Sequence, residues 1–296
     1  MKHTRCVTTL ILTLCLILAA CASEPLAASP LSAPAPPASA SSAGGVVTVT
    51  FIDVGQGDST LIRTANYAML IDGGVRGAYE HISHILDAAG VSHIDYVVAT
   101  HPHADHIGGL VPLIGNNNGI SIGTVLMPNV VHTTRTYENF LQALIDNSIN
   151  VVEPYPGKVL ELDDTYFTVI APNSSGYGNL NDYSVVIVMD HAGNSFLFAA
   201  DAERESEAEM LRYFDDISAD VLRVGHHGSR TSTKQEFLDA VSPRYAVISA
   251  GADNRYGHPH GVVLDRLARH GSRILITFEL GDIVMVSSAE GISVEY

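Results

Sequence analysis

Cysteine is scarce in this sequence. Its 296 residues include only three cysteines, Cys6, Cys15 and Cys21, all near the N-terminus. The rest of the chain has no thiol, which excludes a disulfide framework, a cysteine nucleophile and a thiolate metal ligand there. Any catalytic chemistry must therefore depend on histidine, aspartate, asparagine and bound water.

Basic residues and long apolar runs are also few. The sequence has 16 Lys and Arg residues against 32 Asp and Glu residues, a formal net charge of −16. Such a charge repels polyanions, so it argues against tight, extended binding along a nucleic acid but not against a local phosphate site. Beyond residue 20 no hydrophobic run reaches the roughly 20 residues that a membrane span needs. No membrane channel is therefore predicted in this sequence.

The N-terminal residues are typical of an exported protein. Lys2 and Arg5 precede an apolar stretch at residues 7–20, which is too short for a comfortable membrane span and predicts a signal peptide. Leu-Ala-Ala-Cys at residues 18–21 resembles a lipobox, which predicts cleavage before Cys21 and attachment of lipid to its sulfur. The alternative is an ordinary signal peptide followed by an incidental cysteine.

Composition changes again after the cysteine. Residues 22–45 are almost entirely Ala, Ser and Pro, a composition that cannot bury a core and predicts a disordered tether. We therefore expect a signal peptide over residues 1–20, a lipid-bearing tether over residues 21–45 and one folded domain over residues 46–296. The expected location is outside the cytoplasm, anchored to a membrane by the lipid.

The remaining sequence alternates between strand-like and helix-like patterns. Strands are predicted at residues 46–54, 59–64, 67–71, 94–100, 124–127, 166–170, 184–190, 195–199, 221–224, 245–249, 274–277, 283–287 and 292–295. Helices are predicted at residues 79–89, 107–114, 136–147, 203–213 and 262–270. Each half of the chain contains strands followed by helices. This order indicates an α/β fold in which two sheets pack face to face with helices outside.

The most informative motif is His-Pro-His-Ala-Asp-His at residues 101–106, directly after a predicted buried strand. Side chains two apart in an extended segment point the same way, so His101 and His103 can reach one cation. Asp105 and His106 lie at the start of a predicted helix and can face a second. Imidazole and carboxylate are ligands that zinc, manganese and iron accept. A histidine-rich turn of no function is disfavoured, because further histidine and aspartate motifs follow downstream in the chain.

Three further segments carry groups suited to the same chemistry. Asp201 closes a predicted buried strand, where it can cap the next helix or bridge two cations. His226 and His227 precede Gly-Ser, and both rings would need partners if buried. Asp72 follows another strand and is interpreted as a group that orients a ligand histidine.

Together these motifs resemble the metallo-β-lactamase superfamily. The resemblance is closer to the C-terminal hydrolase domain of ComEC-type competence proteins, here in a stand-alone lipoprotein form. The segments that carry it are residues 51–59, 100–109, 224–229 and 254–260. The resemblance implies a four-layer αββα sandwich of two mixed sheets with outer helices, and a site at one edge of the sheets.

The region before the bridging aspartate departs from much of the superfamily. Many members place a third histidine for the first cation there, whereas this chain has Asn-Leu-Asn-Asp-Tyr-Ser at residues 179–184, as its branch generally does. The candidates left for the first cation are His101, His103, Asp201, Asn181 and Asp182. Occupancy by one ion or two stays open. His191 follows the far end of its strand and is predicted to lie at the surface.

Two cations about 3.5–4 Å apart can hold a hydroxide between them and lower its pKa toward neutrality. The expected ligands are His101, His103, Asp105, His106, Asp201 and His226. Asp105 is also expected to be catalytic, and His227 is left as a further metal or substrate contact.

His258, in a Gly-His-Pro turn, resembles a residue that faces substrate in this branch, where it would protonate the leaving oxygen or bind a phosphoryl oxygen. The alternative is that this turn is only a rigid connection.

The remaining candidates are groups expected to orient a ligand or to contact substrate. Asp58 belongs to a glycine-rich loop, and Asn254 and Arg255 belong to the turn that carries the Gly-His-Pro segment. Arg230 and Arg255 can pair with a phosphate. Aspartate and asparagine in such loops often only shape turns, and exposed arginines are often only solvated.

The predicted function is that of a hydrolase that uses two divalent cations, zinc or manganese. By resemblance the substrate is a phosphodiester, in a nucleic acid fragment or a cell-envelope polymer. Hydrolysis of a lactam, lactone or thioester is the alternative within enzymes. A lipoprotein that binds metal or ligand without chemistry, or a partner of a separate competence channel, are the other hypotheses. Asp105 and Asp201 argue against a pure binding protein, because such a protein needs no bridging acid.

Overall fold

A computed structural model describes residues 45–115 and 119–296. The predicted signal peptide, Cys21 and nearly all of the predicted tether lie outside the described residues. In the described part of the chain, no helix has the length and apolarity needed to cross a membrane.

The strands form two mixed sheets. They are β1 (Val47–Phe51), β2 (Thr60–Arg63), β3 (Ala68–Ile71), β4 (His93–Val98), β5 (Ser121–Leu126), β6 (Asn150–Val152), β7 (Val159–Leu162), β8 (Thr165–Ala171), β9 (Val186–His191), β10 (Asn194–Phe198), β11 (Val221–Arg223), β12 (Tyr245–Ile248), β13 (Arg273–Ile276), β14 (Ile283–Ser288) and β15 (Gly291–Glu295). One sheet has the order β15-β14-β1-β2-β3-β4-β5-β6, and the other has the order β13-β12-β11-β10-β9-β8-β7.

The helices lie along both outer faces of these sheets. They are α1 (Tyr79–Ala88), α2 (Ala104–Ile107), α3 (Leu110–Gly115), α4 (Arg135–Asp146), α5 (Arg204–Tyr213), α6 (Gln235–Val241), α7 (Gly261–His270) and α8 (Thr277–Leu280). Three short 3₁₀ helices occupy Arg76–Ala78, Leu180–Tyr183 and Gly225–Gly228.

Three apolar clusters hold the layers together. The first lies between the sheets and includes Phe51 from one and Phe167 from the other. The second joins the sheet of β10–β13 to α5, α6 and α7, and the third joins the sheet of β3–β5 to α1, α3 and α4. Central strands such as β3 and β12 are buried on both faces, which explains their continuous apolar sequences. The predicted αββα sandwich is confirmed.

The two sheets do not correspond to the first and second halves of the chain. The last hairpin, β14–β15, joins the N-terminal sheet, where Ile283 pairs with Phe51 of β1. The predicted helix at residues 107–114 is split into α2 and α3 at Gly108 and Gly109. A Cβ on Gly109 would lie 2.1 Å from the carbonyl oxygen of Gly73, so the two segments cross too closely for side chains.

The prediction for His191 was wrong. This residue ends β9 but is buried, and its Nδ1 lies 2.9 Å from Ser287 Oγ on β14. It joins the two sheets at the end of the sandwich opposite to the carboxyl ends of β10 and β11. Position at a strand end did not imply exposure, because the facing sheet covers that end.

Parallel strand pairing places the chemically interesting loops together. β3 pairs in parallel with β4, and β10, β11 and β12 are parallel neighbours. The carboxyl ends of parallel strands meet at one edge, which is where open α/β sheets bind ligands. The loops that follow these five strands carry most of the predicted site residues; Asp58 follows β1, and Asn181 and Asp182 follow β8.

Candidate metal centre

The first two histidines of the central motif lie side by side. The chain leaves β4 in an extended conformation, and His103 keeps extended angles (φ −73°, ψ 148°) at the N-cap of α2. His101 Nε2 lies 2.9 Å from His103 Nδ1. Both rings can therefore offer nitrogen to one point, as the alternation of an extended segment predicts.

Asp201 is the hub of the centre. Its Oδ2 lies 3.2 Å from His106 Nε2 and 3.8 Å from His101 Nε2, and its Oδ1 lies 3.6 Å from His227 Nε2. Two ligand groups share this region: His101, His106 and Asp201 form one, and Asp105, His106 and His227 form the other, with the ligand atoms of each group within 4.8 Å of one another. The two oxygens of Asp201 face different histidines, which is the arrangement a bridging carboxylate needs.

The paired histidines point in different directions. His227 is buried, its Nδ1 lies 2.9 Å from the carbonyl oxygen of Ser249, and its Nε2 lies 3.5 Å from Asp105 Oδ2. His226 is partly exposed, and its Nδ1 lies 2.8 Å from Glu203 Oε1. His226 Nε2 lies 3.7 Å from Asp201 Oδ2, but only His227 groups with Asp105 and His106. The geometry therefore favours His227 as the ligand, whereas the sequence-based preference is His226.

Asp72 lies directly behind the second cation's histidine. Its Oδ1 accepts a hydrogen bond from the Thr100 N–H (2.9 Å), and its Oδ2 accepts one from Thr100 Oγ1 (2.7 Å). Asp72 Oδ2 also lies 2.7 Å from His106 Nδ1. A proton on Nδ1 leaves His106 Nε2 with a free lone pair directed at Asp201.

Asp182 is not a site group. Its Oδ1 accepts hydrogen bonds from the N–H groups of Glu203 (3.0 Å) and Ser206 (3.1 Å) at the start of α5. It serves as the helix-capping acid, a role that the sequence had offered to Asp201. Its neighbour Asn181 stays a candidate: Nδ2 donates to Glu203 Oε1 (2.9 Å), while Oδ1 is buried without a hydrogen-bond partner among the described residues.

The turn at residues 254–260 presents His258 to the site. Asn254 Oδ1 accepts hydrogen bonds from the N–H groups of Tyr256 (3.1 Å) and His258 (2.9 Å), and Nδ2 donates to the Gly251 carbonyl (2.7 Å). Asn254 therefore shapes the turn and has no group left for substrate. The His258 ring lies 5.3 Å from the ring of His226. Burial lowers the pKa of His258 to about 4, with smaller contributions from His226 and His227.

Arg255 and Asp58 lie on opposite sides of this region. Arg255 is exposed at the rim and donates to Tyr256 Oη at 2.9 Å. Asp58 is buried below the centre, where its Oδ2 lies 2.7 Å from Nη2 of Arg223.

Burial and charge perturb the groups of the centre in opposite directions. Burial opposes protonation of His106, but the carboxylates of Asp201 and Asp72 outweigh it and raise its pKa well above the usual value. Burial would raise the pKa of Asp201, yet the surrounding histidines, led by His106, hold it well below its usual range. Burial and then the positive field of His106 lower the pKa of His101. The same carboxylates that raise the pKa of His106 would also favour a divalent cation beside its ring.

The donor set fits divalent cations. His106 Nε2, His227 Nε2 and Asp201 Oδ1 are buried and have no hydrogen-bond partner in the described chain. Such atoms are costly unless something binds them. Four carboxylates, Asp58, Asp72, Asp105 and Asp201, meet here, and Arg223 is the one permanent cation among the described residues with which they form close ion pairs.

Comparison with known proteins decides the family. The model of the metallo-beta-lactamase superfamily matches residues 52–252. This chain belongs to the metallo-β-lactamase superfamily. Its fold binds divalent metal ions, and the histidine and aspartate groups described above are the candidate ligands in this member.

Relatives within the superfamily confirm the resemblance to ComEC-type proteins. The chain is 34% identical over 253 residues to ComE operon protein 3 of Bacillus subtilis, covering 79% of this chain and 32% of that protein. It is 34% identical over 233 residues to competence protein ComA of Neisseria gonorrhoeae, covering 77% of this chain and 30% of that protein. The chain thus spans about a third of the length of these curated relatives.

Solved structures show the same fold at low identity. The metallo-β-lactamase fold protein YhfI of Bacillus subtilis superposes with a TM-score of 0.56 at 14% identity, covering 82% of this chain and 99% of that one. CmlA of Streptomyces venezuelae, a diiron β-hydroxylase, superposes with a TM-score of 0.52 at 18% identity, covering 77% of this chain and 52% of that one. Both establish the architecture and nothing about the reaction of this superfamily member.

Two residues of the centre were missed from the sequence. Glu203 holds His226, and Arg223 holds Asp58. Glu203 gave no signal beyond its position two residues after Asp201. Arg223 did give one, because it is an arginine inside the apolar stretch at residues 221–224, where a charge is costly unless it is paired.

Proposed function

We propose that this chain is a metal-dependent hydrolase of phosphodiesters. The residues that would hold the cations are His101, His103, Asp105, His106, Asp201 and His227. The observation that carries the proposal is the hub at Asp201, around which unpartnered buried imidazole nitrogens converge next to a rim rich in imidazole and guanidinium groups.

Divalent cations supply Lewis acidity at such a centre: they lower the pKa of water toward neutrality and polarise a phosphoryl oxygen. The chain's own residues supply position. Asp72 fixes the ring of His106, and the Ser249 carbonyl fixes the ring of His227, so each keeps Nε2 toward the centre. Because these rings are held before substrate arrives, little reorganisation is needed during the reaction.

The rim suits an anionic substrate. The ring of His258 lies 5.3 Å from the ring of His226 and 4.9 Å from the ring of His260. The backbone N–H of Arg230 donates to His260 Nδ1, which places Arg230 beside these rings. In a chain of net charge −16, this local set of donors supports recognition of a phosphate. Glu203 holds His226 at Nδ1, and His226 Nε2 points toward the centre, 3.7 Å from Asp201 Oδ2, where it is placed to carry a proton to the leaving oxygen. His258 is placed to donate a hydrogen bond to a phosphoryl oxygen.

The name of one relative, competence protein ComA, supports a competence context for this chain. In that context we propose a nucleic acid as the source of the phosphodiester. We propose that this chain acts in a similar context, outside the cytoplasm, anchored through the lipid predicted on Cys21.

A panel of chromogenic substrates tests the proposed activity. Chelator-treated protein should leave bis-p-nitrophenyl phosphate intact, and added Mn²⁺ or Zn²⁺ should restore turnover. Nitrocefin should stay intact under all conditions. Asp105→Asn should lose both metal and turnover. Cleavage of nitrocefin with an intact diester would overturn the proposal in favour of lactam hydrolysis, and unchanged metal binding by Asp105→Asn without any wild-type turnover would favour a binding protein.

A further inference from the structure

Arg223 is among the largest fully buried side chains of the described residues, and the proposed reaction does not use it. It stands in β11 and is 1% exposed. A guanidinium stays charged at any physiological pH, so its burial is costly unless its donors meet acceptors. The identity of those acceptors shows what the fold gains from the residue.

The acceptors come from separate segments around the metal centre. Arg223 Nη2 lies 2.7 Å from Asp58 Oδ2, in the loop between β1 and β2 of the opposite sheet. Nη1 donates to the carbonyl oxygens of Val224 (3.0 Å) and Ala200. Ala200 directly precedes Asp201. The side chain of Arg223 therefore links both sheets to the backbone segment that carries Asp201.

The contact with Ala200 bears on the aim of Asp201. Ala200 has a left-handed backbone (φ 48°), which a residue with a Cβ keeps only where its surroundings hold it. Arg223 holds the carbonyl of that turn. Its Nη2 also lies 3.2 Å from His227 Nδ1, behind the ring whose Nε2 faces the centre. Because Nδ1 donates its proton to the Ser249 carbonyl, this is a packing contact and not a hydrogen bond. Arg223 thus supports Asp201 through the Ala200 carbonyl and His227 through packing behind its ring.

Arg223 also determines which carboxylates are available to bind a cation. Asp58, Asp72 and His106 form a third cluster whose ligand atoms lie within 4.8 Å of one another. The ion pair neutralises Asp58, so that cluster is a poor site for a cation. Cations are thereby directed to the two groups that contain Asp201 and Asp105.

We propose that Arg223 is a positioning residue that, paired with Asp58, holds Asp201 and His227 in cation-binding geometry. The inference depends on the proposed function for the presence of a cation, and adds how the chain fixes the affinity and shape of its site. An ion pair of purely structural value would affect stability and leave the affinity and geometry of the site unchanged.

Three variants separate these roles. Arg223→Met leaves Asp58 buried and unpaired, and should be strongly destabilised. The charge-neutral double variant Arg223→Met/Asp58→Asn should recover most of the lost Tm. It should still bind Mn²⁺ at least about tenfold more weakly than the wild type, with a changed Co²⁺ absorption spectrum. Arg223→Lys keeps the charge but has a single nitrogen, so it cannot reproduce the separate bonds to Asp58 and Ala200. Its Mn²⁺ affinity should lie between those of the wild type and the double variant.

The readouts are calorimetric Mn²⁺ affinity, the Co²⁺ spectrum and the Tm of the metal-free chain. Wild-type affinity and spectrum in the double variant would overturn the inference. If the double variant fails to fold, Arg223→Lys decides in the same way: unchanged affinity and spectrum there would refute the positioning role. A wild-type chain that binds none of Mn²⁺, Zn²⁺ and Co²⁺ would overturn the proposed function itself, and the inference with it.

Discussion

At the scale of single residues, backbone conformation gives two identical side chains different roles. His226 and His227 both have left-handed backbones (φ 47° and 53°), which residues with a Cβ adopt rarely. The resulting turn sends the ring of His227 inward against Ser249 and leaves that of His226 beside Glu203 at the rim. Backbone strain of this kind clusters at functional sites, and here it places the two rings as the proposed roles require, His227 toward the cation and His226 toward the substrate.

Alanine variants of this pair test the division of roles. His227→Ala should lower the affinity for Mn²⁺ or Zn²⁺ at least about tenfold, because a nitrogen facing Asp105 and Asp201 is lost. His226→Ala should keep metal affinity within about threefold and lower turnover of bis-p-nitrophenyl phosphate by about 10²-fold or more. Calorimetric metal titration and the chromogenic assay measure the two effects. Metal loss in His226→Ala with retention in His227→Ala would restore the preference drawn from the sequence.

The same pair marks the limit of prediction for single residues. The 101–106 motif was predictable because its spacing and residue types alone place donors on one side of the chain. Between His226 and His227, residue type and spacing are equivalent, and only a backbone angle distinguishes them. Asn181 and Asp182 present the same problem. Asn181 faces Glu203 and Asp182 caps α5, and this difference depends on where the start of α5 lies in the folded chain.

At the scale of elements, α5 and α6 are joined by a buried carboxylate. Glu207 on α5 is 3% exposed, and its two oxygens accept hydrogen bonds from the N–H groups of Thr233 and Lys234, which precede α6. This contact holds the end of the loop that begins with the histidine pair. Burial raises the pKa of Glu207 to about 7.

Glu207 should make stability depend on pH. Its pKa in the folded state lies above its ordinary value of 4.5, so the folded state binds the proton more tightly. Its contribution to the free energy of unfolding, about 3 kcal/mol, is complete below pH 4.5 and is lost as the pH rises through 7. Urea unfolding of the metal-free chain between about pH 5 and pH 8 should therefore show a steeper loss for the wild type than for Glu207→Gln.

The exposed neighbour Glu205 on the same helix supplies the control. Glu205→Gln should follow the wild-type pH dependence, because its side chain is not transferred from water on folding. Equal slopes for the wild type and Glu207→Gln would show that the carboxyl of Glu207 titrates alike in the folded and unfolded states, contrary to expectation.

The elements themselves were predictable to different degrees. Long amphipathic helices such as α4 and buried strands such as β12 were predicted from their sequence patterns. The strands β6 and β7 and the helices α6 and α8 are short and were not predicted, since three to seven residues carry too little pattern. The break between α2 and α3 comes from the close crossing of Gly109 over Gly73, a contact between distant segments that no local pattern contains.

At the scale of the whole molecule, the metal centre joins the two sheets. The 101–106 segment follows β4 of one sheet, whereas Asp201 and His227 follow β10 and β11 of the other. The general sandwich was predictable from the order of strands and helices. The return of β14 and β15 to the N-terminal sheet was not, because it depends on which sheet edge is open when the chain ends.

A cation that binds ligands from both sheets should stabilise the entire fold. Adding Mn²⁺ or Zn²⁺ to chelator-treated protein at about 100 times the Kd should raise the free energy of unfolding by about 2.7 kcal/mol. For a domain of this size, that corresponds to a rise in Tm of roughly 5–10 °C. The expected gain exists because the cation binds the assembled centre and not its separated halves, and scanning calorimetry with and without the ion measures it. Asp201→Asn, which removes the hub between the sheets, should lose most of the rise, whereas Glu205→Gln should keep it. A Tm unmoved by cation, in protein that still hydrolyses the diester when the cation is added, would show that the unfolded chain binds the ion as tightly as the folded one, so that the assembled centre is not what holds it.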